Sequence, residues 1–507
     1  MKTKILKIGK NKITLSDIQD VAIRGRRVEI DSAAKLKIKK SFDYLQKKAK
    51  SKETIYGVNT GFGLLSNVKI KSSDIEQLQY NLIRSHAVGT GAPLSPYVSR
   101  AICLLRAVNL AQGYSGVSPS TIQALLNLLN QGIAPVIPEQ GSVGASGDLA
   151  PLAHLALVLI GEGHAWVDGK VVEGATALKK KNLKPIKLGA KEGLALINGT
   201  QFMTAIGALT LLEAEYLCDI ADVTGAMTVE ALKGTTVAFD SDIHAVRSHP
   251  GQVLVANRMR NLLAPKNKLS EIALSHTDCD KVQDPYSLRC IPQVHGASRD
   301  ALRFVREVLE KEINSVTDNP LVFSESNKII SGGNFHGQIV SIAMDILSIA
   351  MAEIASVSEQ RIEKLVNPSI SGLPAFLIKE GGLNSGFMIV QVAAASIVSE
   401  NKTLCHPASV DSIPTSADKE DHVSMGAWAA RKASQVTDNT RRVLAMELMS
   451  AAQGIDFHLP LKSSTKIEAV RKTIREQVPF LDKDRTLYPD IYRIEKLLLD
   501  HKIGAMA

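Results

Sequence analysis

The sequence predicts a mainly α-helical protein, with an N-terminal α-helical domain that carries small β-hairpins and a bundle of long helices after it. From residue 200 onward, apolar residues recur at helical spacing over long segments. Hydrophobic residues make up 45% of the chain but aromatic residues only 4%, so aliphatic side chains must form the core. Because 507 residues exceed the usual size of one domain, we divide the chain into domains 1–200 and 201–507.

The N-terminal part contains short helices and hairpins. Segments 5–8 and 12–15, separated by Gly9-Lys10-Asn11, predict a hairpin, and residues 32–50 a basic amphipathic helix. A second hairpin is expected where Asp168-Gly169, a type I′ turn signal, separates two apolar runs. Two further helices, each begun by proline and ended at glycine, are predicted over residues 96–112 and 119–131.

Long helices dominate the second part. The first is expected to open at 196–201 and to reach residue 232. Between residues 338 and 356 the polar positions keep to one narrow stripe, which predicts a helix buried on most sides. Further helices are predicted over 387–403 and over 424–453, the last one ended by Gly454.

Composition excludes several classes of protein. The net charge of +9 comes from lysine-rich stretches at 35–50 and 179–191. Aromatic stacking platforms are not interleaved with these lysines, which favours a solvated basic surface over nucleic-acid binding. The N-terminus has no secretory h-region, and the apolar run 339–357 carries Asp345 and Glu353, so we expect a cytoplasmic protein without a membrane span. The cysteines are odd in number and lack a Cys-x-x-Cys pair, which argues against disulfides and a metal site: Cys103, Cys218, Cys279, Cys290 and Cys405.

The stretch from Gly141 to Pro151 places small residues before an apolar helix. Asp148 is expected to cap that helix, with Pro151 in its first turn. Because Gly147 has no side chain, its nitrogen can approach the carbonyl carbon of Ala145 and close a five-membered ring with loss of water. Loss of a second water from Ser146 would leave an electrophilic methylidene. Taken alone, however, the stretch favours the simpler interpretation, a tight loop with an N-cap.

Several motifs in order resemble the aromatic amino-acid ammonia-lyases, in which Ala-Ser-Gly matures into 4-methylidene-imidazol-5-one (MIO). Residues 141–154 resemble the signature around that group. Similar matches are the loop Tyr-Gly-Val-Asn-Thr-Gly-Phe-Gly from Tyr56, Asn-Gly-Thr-Gln from Asn198, and the segments 283–296 and 332–337. The resemblance covers nearly the whole chain and implies a fumarase/aspartase-like architecture with MIO formed from Ala145, Ser146 and Gly147 as the only cofactor.

The resemblance also implies a role for each matching residue. Tyr56 would be the general base, an unusual role for a phenol of pKa about 10, and one that needs a site stabilising phenolate. Arg289 would hold the substrate carboxylate, for which a guanidinium fork is suited. The residues expected to surround and orient the prosthetic group are Asn198, Gln283, Tyr286 and Phe335, of which Tyr286 is also counted among the catalytic residues.

Two positions favour histidine as substrate. Ser85-His86 resembles the histidine-specific members of the family, and Glu420 stands where phenylalanine-specific members tend to have Gln. Lys419 departs from the expected Gln beside it. The implied reaction is elimination of ammonia from L-histidine to give trans-urocanate. Whether the substrate's amine or its imidazole ring attacks the methylidene stays open.

Three alternatives remain at this point. A phenylalanine or tyrosine ammonia-lyase, or an aminomutase, would keep the scaffold, but His86 and Glu420 count against it. A fumarase-like lyase is disfavoured because the Gly-Ser-Ser-x-Met-Pro loop is missing. The third is a basic helical scaffold that binds nucleic acid. The family resemblance further implies a homotetramer whose active sites are each shared by three subunits.

Overall fold

The structure is a computed structural model that describes residues 4–51, 53–277 and 282–503, and it is mainly α-helical as predicted. The helices of the first half are α1 (Leu15–Ala22), α2 (Ser32–Ala49), α3 (Ile75–His86), α4 (Pro96–Ala111), α5 (Pro119–Asn130), α6 (Leu149–Leu159), α7 (Gly174–Lys180), α8 (Glu192–Ile197), α9 (Gln201–Ala231), α10 (Ser241–Ala245) and α11 (Pro250–Leu263). Those that follow are α12 (Glu271–Leu274), α13 (Tyr286–Arg289), α14 (Ile291–Glu312), α15 (Gln338–Val366), α16 (Pro368–Ser371), α17 (Met388–Leu404), α18 (Gly426–Asp456), α19 (Thr465–Arg475) and α20 (Tyr488–Leu499). Cys279 lies outside the described residues.

The strands are short and, within the described residues, form four small sheets. They are β1 (Leu6–Ile8), β2 (Val28–Ile30), β3 (Thr90–Pro93), β4 (Ala134–Pro135), β5 (Pro138–Gln140), β6 (His164–Val167), β7 (Lys170–Glu173), β8 (Leu321–Phe323) and β9 (Lys328–Ile330). β1 pairs with β2 in parallel, β3 with β5 antiparallel, β6 with both β4 and β7, and β8 with β9. The hairpin β6–β7 is the one predicted, and positive φ angles of 51° at Asp168 and 78° at Gly169 fit the type I′ turn.

The predicted N-terminal hairpin is wrong. Residues 12–15 do not form a strand, because Thr14 caps α1: its side chain accepts from the Asp17 amide, and the Asp17 carboxylate accepts from the Thr14 amide. β1 pairs instead with β2, which lies beyond α1. The predicted end of α18 at Gly454 is also wrong, since the helix continues through it to Asp456.

The chain divides into two compact units, each discontinuous in sequence. The first comprises Met1–Leu209, Arg306–Asp345 and Pro407–Arg431, and the second comprises Thr210–Val305, Ile346–His406 and Lys432–Ala507. Compared with the predicted division at residue 200, the first unit therefore also includes two later segments. One of them is anchored to the N-terminal part by Ser424, whose hydroxyl donates to the Gly144 carbonyl at 3.0 Å.

The second unit is built from long helices with a buried polar network between them. His295 of α14 contacts Asp222 of α9 at 2.8 Å, and Arg361 of α15 donates from Nη2 to Glu447 of α18 at 2.9 Å. Thr228 and Ser358 donate to the same glutamate. Every carboxylate in this network is thus hydrogen-bonded, as buried charges require.

Helix α15 is, among the described residues, the one long and apolar enough to cross a membrane. Its charged residues therefore do not exclude a span by composition, contrary to the sequence argument. However, 61% of its most apolar window is buried inside the protein, as in a core helix.

Candidate active site

The Ala145-Ser146-Gly147 segment is held by backbone contacts on two sides. On one side, the amide of Asp148 donates to the Gly199 carbonyl at 2.7 Å. A Cβ on Gly147, whose φ is +72°, would stand 2.3 Å from that carbonyl oxygen, so only glycine fits. On the other side, the Met425 amide donates to the Val143 carbonyl at 2.8 Å.

Asp148 has a different task from the one predicted. Its side chain does not cap α6; instead Oδ2 accepts from the amides of Phe202 and Met203, at 3.0 and 3.1 Å, in the first turn of α9. Ser142 donates to the other oxygen at 3.3 Å. The carboxylate is fully buried, and this burial raises the pKa of Asp148 to about 7, although the three donors act in the opposite direction. Asp148 thereby ties the segment to the N-terminus of the long helix.

Ser146 is contacted through both its polar groups. Its hydroxyl donates to Glu420 Oε1 at 3.0 Å, and its carbonyl accepts from Asn198 Nδ2 at 3.0 Å. The second oxygen of Glu420 accepts from the hydroxyls of Thr415 and Ser416, at 2.8 and 2.7 Å. The glutamate is therefore oriented toward Ser146 by its own loop.

His86 ends α3, and its ring is fixed by the preceding turn. Nδ1 lies 2.8 Å from the Leu82 carbonyl, which can only accept, so the hydrogen-bond network places the proton on Nδ1. Nε2 is then an acceptor. Burial lowers the pKa of His86, which favours the neutral ring, against the attraction of Glu420.

One cavity of about 830 Å³ within the first unit is lined by His86, Ser146, Asn198 and Glu420 together with other residues. Its wall is apolar where Leu194 and Ile197 of α8 face it, and polar where the predicted residues converge. Tyr56 stands on the loop before α3, with its ring edge-on to Phe62 at 6.3 Å between centroids. The predicted residues that share this lining are Tyr56, His86, Ser146, Asn198, Phe335 and Glu420.

Of the other predicted residues, Ala145 and Gly147 flank Ser146 in the first unit. Gln283, Tyr286 and Arg289 lie in the second unit, and none of the three is among the residues lining this cavity. Gln283 and Tyr286 are exposed, the latter with 71% of its surface accessible. The Arg289 guanidinium lies over the Tyr286 ring, 4.6 Å from its centroid. Arg289 Nε is buried without a hydrogen-bond partner among the described residues.

The surroundings of the tripeptide suit a cyclised group. Gly147 and Gly199 are packed too closely for side chains, Ala145 is small and buried, and Asn198 donates to the Ser146 carbonyl. The Oδ1 atom of Asn198 is buried without a partner in the described part of the chain. The residues present therefore fit an MIO group.

A family model described as aromatic amino acid lyase matches residues 13–476. The chain belongs to this family. It is 52% identical over 486 residues to a histidine ammonia-lyase of Myxococcus xanthus, covering 96% of this chain and 95% of that protein. The solved histidine ammonia-lyase of Trypanosoma cruzi superposes with a TM-score of 0.92 at 43% identity, covering 99% of this chain and 95% of that one. A tyrosine aminomutase of Streptomyces globisporus has a TM-score of 0.93 at 37% identity, covering 99% and 98%.

Sequence reasoning missed two contributors to the lyase site. The role of Asp148 toward α9 has no local signal, because its partners lie 54 and 55 positions away. Arg106, which donates to the Asn198 carbonyl at 2.7 Å, lies within an apolar helical run that predicts only packing. A buried arginine in such a run is the one signal that could have revealed it.

Proposed function

We propose that this protein is a histidine ammonia-lyase that eliminates ammonia from L-histidine to give trans-urocanate. The observation that carries the proposal is the convergence of Tyr56, His86 and Glu420 on a cavity that also contains Ser146. The two relatives described as histidine ammonia-lyases support it.

The prosthetic group of the proposal is MIO, formed by the chain itself. The Gly147 nitrogen bonds to the Ala145 carbonyl carbon, and that oxygen leaves as water with the hydrogens of the Gly147 and Ser146 amides. Ser146 then loses its hydroxyl with the hydrogen on Cα as a second water. Once formed, the group supplies an electrophile that no standard side chain offers.

The side chains of the cavity then bind, orient and move protons. Tyr56 acts as general base and takes a proton from the substrate carbon beside the imidazole ring. The neutral His86 offers Nε2 as acceptor to an imidazole N–H, and Glu420 offers a carboxylate to the same ring. Asn198 donates to the Ser146 carbonyl and so keeps that end of the segment oriented.

The assembly of the proposal is a homotetramer in the cytoplasm, without nucleic-acid or membrane partners, in which three subunits build each site. Arg289 holds the substrate carboxylate, and Gln283 and Tyr286 complete the surroundings of the group. The exposure of Gln283 and Tyr286 supports their use by a neighbouring subunit.

The decisive experiment is to mix the purified protein with L-histidine and follow the ultraviolet absorbance of urocanate, beside L-phenylalanine and L-tyrosine. Urocanate with L-histidine alone is expected; cinnamate or coumarate instead would contradict the proposal. The likeness to a tyrosine aminomutase makes an aminomutase the second candidate. It would convert an α-amino acid into a β-amino acid with no ammonia released.

A further inference from the structure

Arg106 is a fully buried cation on α4, and its hydrogen-bond acceptors among the described residues are all neutral oxygens. Nη1 donates to the Asn198 carbonyl at 2.7 Å and to Gln201 Oε1 at 2.8 Å, and Nη2 donates to Asn109 Oδ1 at 2.5 Å. Burial lowers the pKa of Arg106 to about 10, so the group is still charged at neutral pH.

Burial of this charge costs desolvation free energy, and a buried cation without a bonded carboxylate recovers less of it than a cation in an ion pair. Asp318, whose charge also acts on Arg106, is bonded to Lys191 instead, at 2.6 Å. The guanidinium nevertheless donates to three buried oxygen acceptors at once, which an apolar side chain of similar size would leave unpaired. Its task is therefore more than the filling of space.

That task follows from what the guanidinium touches. Asn198, whose carbonyl accepts from Arg106, donates from Nδ2 to the Ser146 carbonyl. Gly199 lies between Arg106 and Asp148. A Cβ on Gly199 would lie 2.7 Å from Arg106 Nη1, and the Gly199 carbonyl accepts from the Asp148 amide at 2.7 Å. A continuous chain of contacts thus runs from Arg106 to the tripeptide.

We infer that Arg106 is a positioning residue for the Ala145-Ser146-Gly147 segment and acts through Asn198 and Gly199. The inference rests on the proposed function, since it concerns the maturation of that segment and the turnover that follows. When Ser146 loses the hydrogen on Cα, negative charge moves onto its carbonyl oxygen. The side-chain amide of Asn198 donates to this oxygen from Nδ2. Arg106 fixes the main chain from which that donor projects.

The test compares Arg106→Lys with Arg100→Lys by intact mass and by kinetics. Arg100 is a matched control on the same helix, because its guanidinium also donates to three oxygens, here the main-chain carbonyls of Val21, Ala22 and Leu129. Wild type and Arg100→Lys are expected to be lighter than their sequences by two waters. Arg106→Lys is expected to retain one or both waters in a large part of the protein.

Kinetics separate positioning from a general loss of structure. For the matured fraction of Arg106→Lys we expect kcat to fall about 10- to 100-fold with little change in KM, since the binding residues keep their places while the donor is misaligned. Combination with Asn198→Ala should add little to the effect of Asn198→Ala alone. If Arg106→Lys does not fold, Gln201→Met keeps the guanidinium, removes one acceptor and should shift mass and kcat in the same direction.

The inference is overturned if Arg106→Lys matures and turns over like Arg100→Lys, or if its effect simply adds to that of Asn198→Ala. Full sequence mass in active wild type would be a different result. It would remove the prosthetic group from the proposed function, and with it the event that Arg106 is inferred to support.

Discussion

At the scale of single residues, Ser146 is held by two different segments of the chain, one at its hydroxyl and one at its carbonyl. Glu420 accepts from the hydroxyl and Asn198 donates to the carbonyl. In the proposed maturation this hydroxyl is removed, so the contact with Glu420 belongs to the unprocessed chain. We propose that the freed carboxylate oxygen then accepts from the substrate ring.

Ser146→Ala should fold normally but lose about a thousandfold or more of kcat, because alanine has no hydroxyl to eliminate and the electrophile cannot form. Intact mass should show the wild type lighter than the mass calculated from its sequence by two waters. The variant should not show this loss of two waters relative to its own sequence. Circular dichroism serves as the control for folding. An active wild-type preparation with full sequence mass would contradict the MIO assignment.

Arg289→Lys should lower kcat/KM about 10- to 100-fold. The guanidinium is proposed to bind the substrate carboxylate through a bidentate contact of about 1.5–3 kcal/mol, and lysine offers only a mobile point charge in its place. The measurement is steady-state kinetics with L-histidine. An amine analogue that lacks the carboxylate should bind wild type and variant equally well. Unchanged kinetics would mean that another cation holds the carboxylate.

At the scale of elements, Asp148 joins the segment before α6 to the N-terminus of α9. Burial raises its folded pKa to about 7, above the ordinary value of 3.8. The stability that it contributes is therefore fully present below about pH 4 and is lost as the pH rises through 7.

Asp148→Asn removes this titration. The melting temperature of wild type minus that of the variant should consequently be larger at pH 5 than at pH 8. Other groups titrate in both proteins and cancel in the difference. A difference that stays constant between the two pH values would show that Asp148 is ionised throughout, held by the amides of Phe202 and Met203.

Periodicity located the long helices, and the Asp168-Gly169 turn located β6–β7, because these signals are local. The pairing of β1 with β2 and the capping of α9 by Asp148 depend on contacts distant in sequence, which no local pattern encodes. The cavity residues of the first unit were predicted in a different way, from the resemblance of whole motifs to those of the aromatic amino-acid ammonia-lyases.

At the scale of the whole molecule, the predicted site residues fall into two groups. Tyr56, His86 and Glu420 line one cavity, whereas Gln283, Tyr286 and Arg289 belong to the second unit, where Tyr286 is exposed. A site completed by neighbouring subunits accounts for both groups, and closed symmetry is usual for soluble homo-oligomers. The proposed tetramer therefore makes a prediction about mixed assemblies.

Tyr56→Phe and Arg289→Ala, each inactive alone, should regain partial activity when they are refolded together, because some mixed tetramers contain a site with both native residues. The matched control is Tyr56→Phe refolded with His86→Asn. Since Tyr56 and His86 line the same cavity of one chain, this second mixture should stay inactive. If the first mixture also stays inactive while mass spectrometry shows that subunits exchange, Tyr56 and Arg289 reach the site from the same chain. A fully active monomer in sedimentation would contradict the shared site altogether.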